Sequence, residues 1–293
     1  MKRILCCILA AVCLCLAGCG AETPAPIAAT TAPVWQFASA ICEGTGLTVS
    51  RLVTENVSCL HDYTLTVRQM QRIEESQVII LSGAGLEEFM INTIQGHKTI
   101  DASAGIALLE MGSGHTHSEE EDHAGHSHEH DPHIWLSPAN ARIMASNICD
   151  GLSALYPQYE TVFRANLEEL SKKLYELERY GTQTLADLSC RQLITFHDGF
   201  SYLAQAFDLE ILRAIEEESG SEASAKELIE LIEEVERHNL PAVFTEVSGS
   251  ASAAEVLCAE TGAASYPLDM AMAGDDYFAA MYHNIDTLKE ALQ

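Results

Sequence analysis

The sequence is poor in basic residues: 16 Lys and Arg stand against 43 Asp and Glu, a formal net charge of −27. A nucleic-acid binder needs positive charge to displace counterions from phosphates, so that class is excluded. The acidic excess serves solubility and concentrates cations near the surface. Long apolar runs are scarce too; beyond residue 19 none reaches the ~20 residues of a membrane-spanning helix. After the same point there is no CxxC pair, which argues against a thiolate zinc ribbon. Catalytic signatures are missing: no GxSxG, no P-loop and no GxGxxG. His128-Glu129 begins an HExxH pattern, but Pro132 takes the place of the second histidine and would break the helix. The expectation is a binding protein, not an enzyme.

What is present begins with an export signal. Lys2 and Arg3 precede a short apolar stretch that ends in Leu16-Ala17-Gly18-Cys19. This ending resembles the bacterial lipobox, whose cysteine becomes the lipidated first residue of the mature chain. Cys19 is thus the expected lipid anchor, residues 1–18 a signal peptide and 19–26 a tether. The expected location is extracytoplasmic, on a bacterial cell membrane. Of ten cysteines, Cys6, Cys7, Cys13 and Cys15 fall in the signal. Cys42, Cys59, Cys149, Cys190 and Cys258 remain, with buried free thiols as the default reading and a Cys42–Cys59 pair left open.

Short β-branched runs alternate with helical patterns. Strands are expected at 27–31, 49–53, 78–81, 193–196 and 243–245, with helices at 67–75 and 141–155. Such alternation predicts an α/β fold of parallel sheets covered by helices. Residues 158–180 contain neither Pro nor Gly, and Phe163, Leu167, Leu170, Leu174 and Leu177 form one apolar stripe. Pro157 suits the first turn. A helix of this length either ties two α/β lobes together or lies along the surface of one domain. A second helix opens on the capping box Ser224/Glu227 and turns Leu228, Leu231, Ile232 and Val235 to the core.

Seven of the twelve histidines, His115, His117, His123, His126, His128, His130 and His133, crowd into residues 114–133, interleaved with acids. The tract lacks apolar residues with which to pack a core and reads as a loop offering several weak, exchangeable metal sites. Imidazole alone does not separate zinc from nickel or copper. Of the five histidines elsewhere, two lie near expected strands' ends: His197 ends a strand, where open parallel sheets bind ligands, and His61 follows one by a loop. His133 closes the tract where an ordered apolar segment resumes. A lone strand-end histidine is more often structural than a ligand; three beside a metal-loading tract shift those odds.

Six segments carry a resemblance: His61-Asp62-Tyr63, Ser82-Gly83-Ala84-Gly85-Leu86-Glu87, residues 131–138 (DPHIWLSP), residues 195–203 (TFHDGFSYL), Val243-Phe244-Thr245-Glu246 and Pro267-Leu268-Asp269. Together and in this order, the chain resembles the zinc and manganese solute-binding lipoproteins of bacterial ABC uptake systems, within the zinc-receptor subgroup of a cluster that also includes cell-adhesion-type members. The resemblance implies the metal-type periplasmic-binding-protein fold. An N-terminal α/β lobe would span 27–156, a linking helix 157–188 and a C-terminal α/β lobe 189–293. It also implies one metal between the lobes, held by His61, His133 and His197 with Asp269 as fourth ligand, and Glu246 as a weaker competitor for that place. Three imidazoles and one carboxylate suit tetrahedral Zn2+ better than Mn2+. The implied role is a monomeric receptor that delivers zinc to an ABC permease. The alternatives are a zinc buffer or metallochaperone, or manganese or nickel as the physiological metal. The text around His61 departs from the family pattern, and Cys59 nearby raises a sulfur ligand.

Overall fold

The computed structural model describes residues 26–55, 60, 63–110, 130–215, 224–247 and 252–293. Cys19, Cys59, His61 and the histidines from His115 to His128 lie outside these residues, so the expectations placed on them rest on sequence.

Among the described residues, eight strands form two parallel four-stranded sheets with the same winding. In the first, β1 (Ile27–Ala29), β2 (Val49–Arg51), β3 (Val78–Leu81) and β4 (Thr99–Asp101) lie in the order β2-β1-β3-β4. In the second, β5 (Gln192–Thr195), β6 (Glu210–Ala214), β7 (Ala242–Glu246) and β8 (Ala264–Leu268) lie in the order β6-β5-β7-β8. The central strands β1, β3, β5 and β7 are almost wholly buried, because parallel sheets are covered on both faces. Each therefore reads as a short apolar run, with polar residues only at the ends of β5 and β7.

The expected strand at 49–53 ends as a ladder at Arg51, although the amides of Leu52 and Val53 still donate to Ala29 and Thr30. Strands β4, β6 and β8 were not anticipated. They lie at or toward the sheet edges: β4 buries only Ile100, β6 carries Glu210 and Arg213, and β8 contains Pro267, tolerated at an edge.

The helices explain how two sheets become one molecule. In chain order they are α1 (Ala32–Cys42), α2 (Val67–Glu75), α3 (Pro138–Leu155), α4 (Glu160–Thr184), α5 (Ser201–Ala206), α6 (Ala225–His238), α7 (Ser252–Thr261) and α8 (Tyr277–Leu292). Helix α4 is the expected long helix, shifted a few residues toward the C-terminus because Pro157 opens a separate 3-10 turn, Pro157–Tyr159. Its 25 residues span about 37 Å at ~1.5 Å per residue. Phe163, Leu170, Leu174 and Leu177 are buried along one face, with Leu167 partly so. One face of α4 packs on α1 and α3 of the first half and on α8 of the second. Gly181 admits the Phe207 ring; a Cβ there would lie 2.2 Å from it.

The largest apolar core runs without interruption from β1 and α1 through Trp135 and α4 to Leu268, Tyr277 and α8. Separate clusters cover the outer face of each sheet: Ile73, Ile79 and Met90 under α2, and Ile194, Leu231, Val243 and Leu257 under α6 and α7. The Ser224/Glu227 capping box forms as expected, and α6 ends on Asn239 in the left-handed region. Cys42 and Cys149 are buried free thiols, the first with its pKa pushed up to about 12 by burial; Cys190 and Cys258 are free but only partly buried.

After β3 the backbone takes positive φ at three successive residues, Gly83, Ala84 and Gly85. The Ala84 conformation costs energy for a residue with a side chain, and the buried Glu87 holds the turn. Its Oε1 accepts from Thr30 Oγ1 (2.6 Å) and Ser82 N (2.7 Å), and its Oε2 from Gly83 N (3.0 Å). Burial pushes this carboxyl up to about 7, against the pull of those three donors. An unfolded glutamate titrates near ~4.3, so between these values the folded chain binds the additional proton. The stability this group contributes is therefore full below its unfolded pKa and is lost as pH rises through about 7. Urea unfolding of the wild type and of Glu87→Gln should show their stability difference shifting toward the variant as pH rises from about 5 to about 8, by up to ~3 kcal/mol at ~1.4 kcal/mol per pKa unit. A difference independent of pH would contradict this account of Glu87.

Candidate metal centre

Each sheet reverses its winding between its two central strands, and ligands of open α/β sheets collect beyond the carboxyl ends at that point. His197 lies just beyond β5, Glu246 is the last residue of β7, and Asp269 directly follows β8. His133 comes from the first half, as the residue preceding the 3-10 turn Ile134–Leu136 that leads into α3. Trp135, in that turn, is fully buried and anchors the segment. Its Nε1 donates to Met270 O (2.8 Å), its carbonyl accepts from Tyr277 Oη (2.8 Å), and its ring meets His133 edge-on.

His133 and His197, 64 positions apart in sequence, come together with ring centres 5.3 Å apart. Two imidazoles on one tetrahedral zinc, with Zn–N of ~2.0–2.1 Å, hold their ring centres about 5 Å apart. Each ring has a carboxylate on its Nδ1 side. Asp131 Oδ1 lies 2.8 Å from His133 Nδ1 and also accepts from His133 N at 2.9 Å. Glu246 Oε2 lies 3.9 Å from His197 Nδ1, an ion-pair distance longer than a direct hydrogen bond. A carboxylate at Nδ1 fixes the tautomer and turns Nε2 toward a metal. On the far side of the His197 ring stands Gly199: a Cβ there would come 2.8 Å from Nε2 and 2.7 Å from Met270 Cε. Glycine keeps that side of the ring open.

Asp131 is almost completely buried, yet its Oδ2 has no hydrogen-bond partner among the described residues. A buried carboxylate with an unmatched oxygen is costly unless positive charge is near. That environment suits a cation bound by the adjacent imidazole.

The expected ligands are thus only partly assembled. His133 and His197 are together, and Glu246 sits at the Nδ1 edge of His197, the place of an orienting group. Asp269 is held at the same end of the second sheet. Its Oδ1 accepts from Ala271 N (2.7 Å), and its main chain is tied to the Asn284 side chain at both N–H and C=O. It opens onto a cavity of about 320 Å³ lined also by Asp275, Asp276 and His283. Among the described residues no three His, Cys, Asp or Glu side chains form a closed shell; the remaining expected imidazole, His61, lies outside them. His130 stands in an isolated antiparallel bridge with Glu110, and its Nδ1 is buried without a hydrogen-bond partner among the described residues.

Sequence reasoning assigned no role to Asp131, Gly199 or Tyr202, although all three lie inside the quoted motifs. The Asp-Pro-His spacing was the available signal for Asp131: two residues upstream, a carboxylate can reach back to the imidazole.

A family profile described as ZnuA, zinc-uptake complex component A, periplasmic, matches residues 27–291. The chain is 29% identical over 291 residues to the zinc-binding protein AdcA of Streptococcus pyogenes serotype M3, covering 92% of this chain but only 56% of that protein. It thus spans little more than half the length of that relative. It is 30% identical over 240 residues to a putative metal-binding protein of Treponema pallidum, covering 79% of this chain and 76% of that one. A crystal structure of ZnuA superposes with a TM-score of 0.79 at 30% identity, covering 91% of this chain and 98% of the other. Fold order and a match across both halves agree, and the chain belongs to the ZnuA family of zinc-uptake complex components.

Proposed function

We propose that this protein is an extracytoplasmic receptor that binds one Zn2+ between its two halves and presents it to an ABC permease. The observation that carries the proposal is the His133–His197 pair, each ring backed by a carboxylate and contributed by a different half. His61 and Asp269 complete the proposed shell, with Glu246 in a supporting place. Two lobes, 27–156 and 189–293, flank the linking segment 157–188. A shell filled by protein ligands suits a carrier; a zinc hydrolase keeps one position open for water and a base beside it. Imidazole-rich coordination favours zinc over manganese, which prefers oxygen. Cys19 supplies the membrane anchor, and the chain acts as a monomer without nucleic acid. The tract histidines supply the secondary, weaker sites.

Cells lacking this protein should accumulate radioactive zinc several-fold more slowly at limiting zinc, and normally when zinc is abundant. Unchanged uptake at limiting zinc, with reduced tolerance of zinc excess, would instead identify a buffer.

A further inference from the structure

Among the contacts that join the first and second halves is a buried hydroxyl close to His197, that of Tyr202. Tyr202 lies in α5, five residues after His197, and is only 1% exposed. Its Oη accepts from Leu109 N (2.9 Å) and donates to Asp131 O (3.1 Å). Both partners belong to the first half, where Asp131 N also donates to Leu109 O (2.8 Å). Asp131 is the residue whose side chain holds His133 by ring and main chain together. A continuous set of hydrogen bonds therefore runs from the segment carrying His197, through Tyr202 and Asp131, to His133.

We propose that Tyr202 is a positioning residue for the metal pair, its hydroxyl fixing the His133 segment against the His197 segment and so setting the distance between the two imidazoles. This rests on the proposed ligand roles of His133 and His197. The apolar contacts of the Tyr202 ring, next to Phe200 and Leu203 in the shared core, give α5 its place. Those contacts are non-directional; the hydroxyl's bonds to Leu109 N and Asp131 O tie the Leu109–Asp131 pair to α5. With the oxygen removed, Leu109 N and Asp131 O lose their common partner, and the Asp131 carboxylate is free to drift relative to the His133 ring. Loss of a group that orients a metal ligand typically weakens metal binding by about 10–100-fold.

The test uses Tyr202→Phe, which deletes one oxygen and keeps the ring, beside Tyr180→Phe, which removes a surface hydroxyl bonded to Asp286. Two readouts are taken. One is zinc dissociation into excess chelator, expected to be about 10-fold faster or more in Tyr202→Phe and unchanged in Tyr180→Phe. The other is the nitrogen NMR signature of the His133 ring in metal-free protein at mildly alkaline pH. It is expected to show a single tautomer, protonated at Nδ1, in the wild type and a mixture in Tyr202→Phe. A variant that merely loosens the core would not change the tautomer of one histidine. Asp131→Asn, which keeps an acceptor at Nδ1, should give an intermediate result in both and provides a second route if Tyr202→Phe folds poorly. Wild-type zinc release and a single tautomer in Tyr202→Phe would overturn the proposal. If His133→Ala and His197→Ala bind zinc normally, the ligand assignment fails instead; the metal-free tautomer still decides whether Tyr202 positions His133.

Discussion

His197→Ala is expected to abolish most of the thermal stabilisation that zinc confers on the wild-type protein. A ligand that binds only the folded state stabilises it by RT ln(1 + [L]/Kd), about 4 kcal/mol when zinc exceeds Kd 1,000-fold. Unfolding separates His133 from His197, which only the fold brings to 5.3 Å. Removing one imidazole takes away a metal bond, whereas removing a group that merely orients a ligand costs about 10–100-fold. Affinity should therefore fall by more than about 100-fold, enough to cancel ~3 kcal/mol of the zinc-linked gain. The metal-free variant should lose less, because the zinc-linked gain is absent there and the side chain retains some exposure. Melting temperatures with and without zinc, for both proteins, check this. A full zinc-induced shift in His197→Ala would remove His197 from the site. Glu246→Gln should behave differently: it leaves both imidazoles in place, so zinc still stabilises, with a smaller shift.

The largest effect on the fold itself is expected from Trp135→Ala. The indole is fully buried in the core that joins the two halves. It donates to Met270 O, while the residue's own carbonyl accepts from Tyr277 Oη. Truncating a buried tryptophan costs about 3–5 kcal/mol through lost burial and the cavity left behind, and the orphaned Met270 carbonyl adds to that. For a chain of this size each kcal/mol moves the melting temperature by about 2–4 °C, so a fall of about 6–20 °C is expected in metal-free protein. Zinc affinity should fall as well, because Trp135 follows His133 by two residues and its Nε1 pins the turn that carries Asp269. Trp135→Phe, which keeps most of the volume but loses the Nε1 donor, should show a smaller loss of stability. A change below ~1 kcal/mol in the alanine variant would mean that the halves are joined elsewhere.

The parts of this fold that were legible in sequence are those where burial is uniform. Strands β1, β3, β5 and β7 are covered on both faces and appear as short apolar runs, polar only at the ends of β5 and β7; α4 shows its stripe because only one of its faces is packed. Strand β4 went unread because Thr99-Ile100-Asp101 has a single buried side chain, and β8 because Pro267 interrupts it. Helix α1 was obscured by its beginning: Ala32 and Pro33 continue the composition of the preceding tether, and the packed residues Val34, Phe37 and Ile41 come only afterwards.

The site divides in the same way. His133 and His197 are visible in sequence because an imidazole beside an apolar run is conspicuous. Tyr202 is not, because its hydroxyl acts on Asp131, 71 residues earlier in the chain, and no local spacing encodes that meeting. The left-handed run at Gly83, Ala84 and Gly85 was half-visible through its glycines, but the carboxylate that holds it could be read only from the hydrogen bonds of Glu87.

The central claim is that one tight zinc site is built on the packed scaffold at His133 and His197, independent of the tract residues 114–128. The most direct measurement is a zinc titration of the protein lacking residues 114–128, with X-ray absorption at the zinc edge on the one-zinc form. The account predicts that one tight site survives with wild-type affinity while total zinc bound falls, and that the zinc has nitrogen and oxygen neighbours, with Zn–N near ~2.0–2.1 Å and no sulfur. Loss of the tight site on deletion, or a sulfur neighbour at ~2.3 Å, would contradict it.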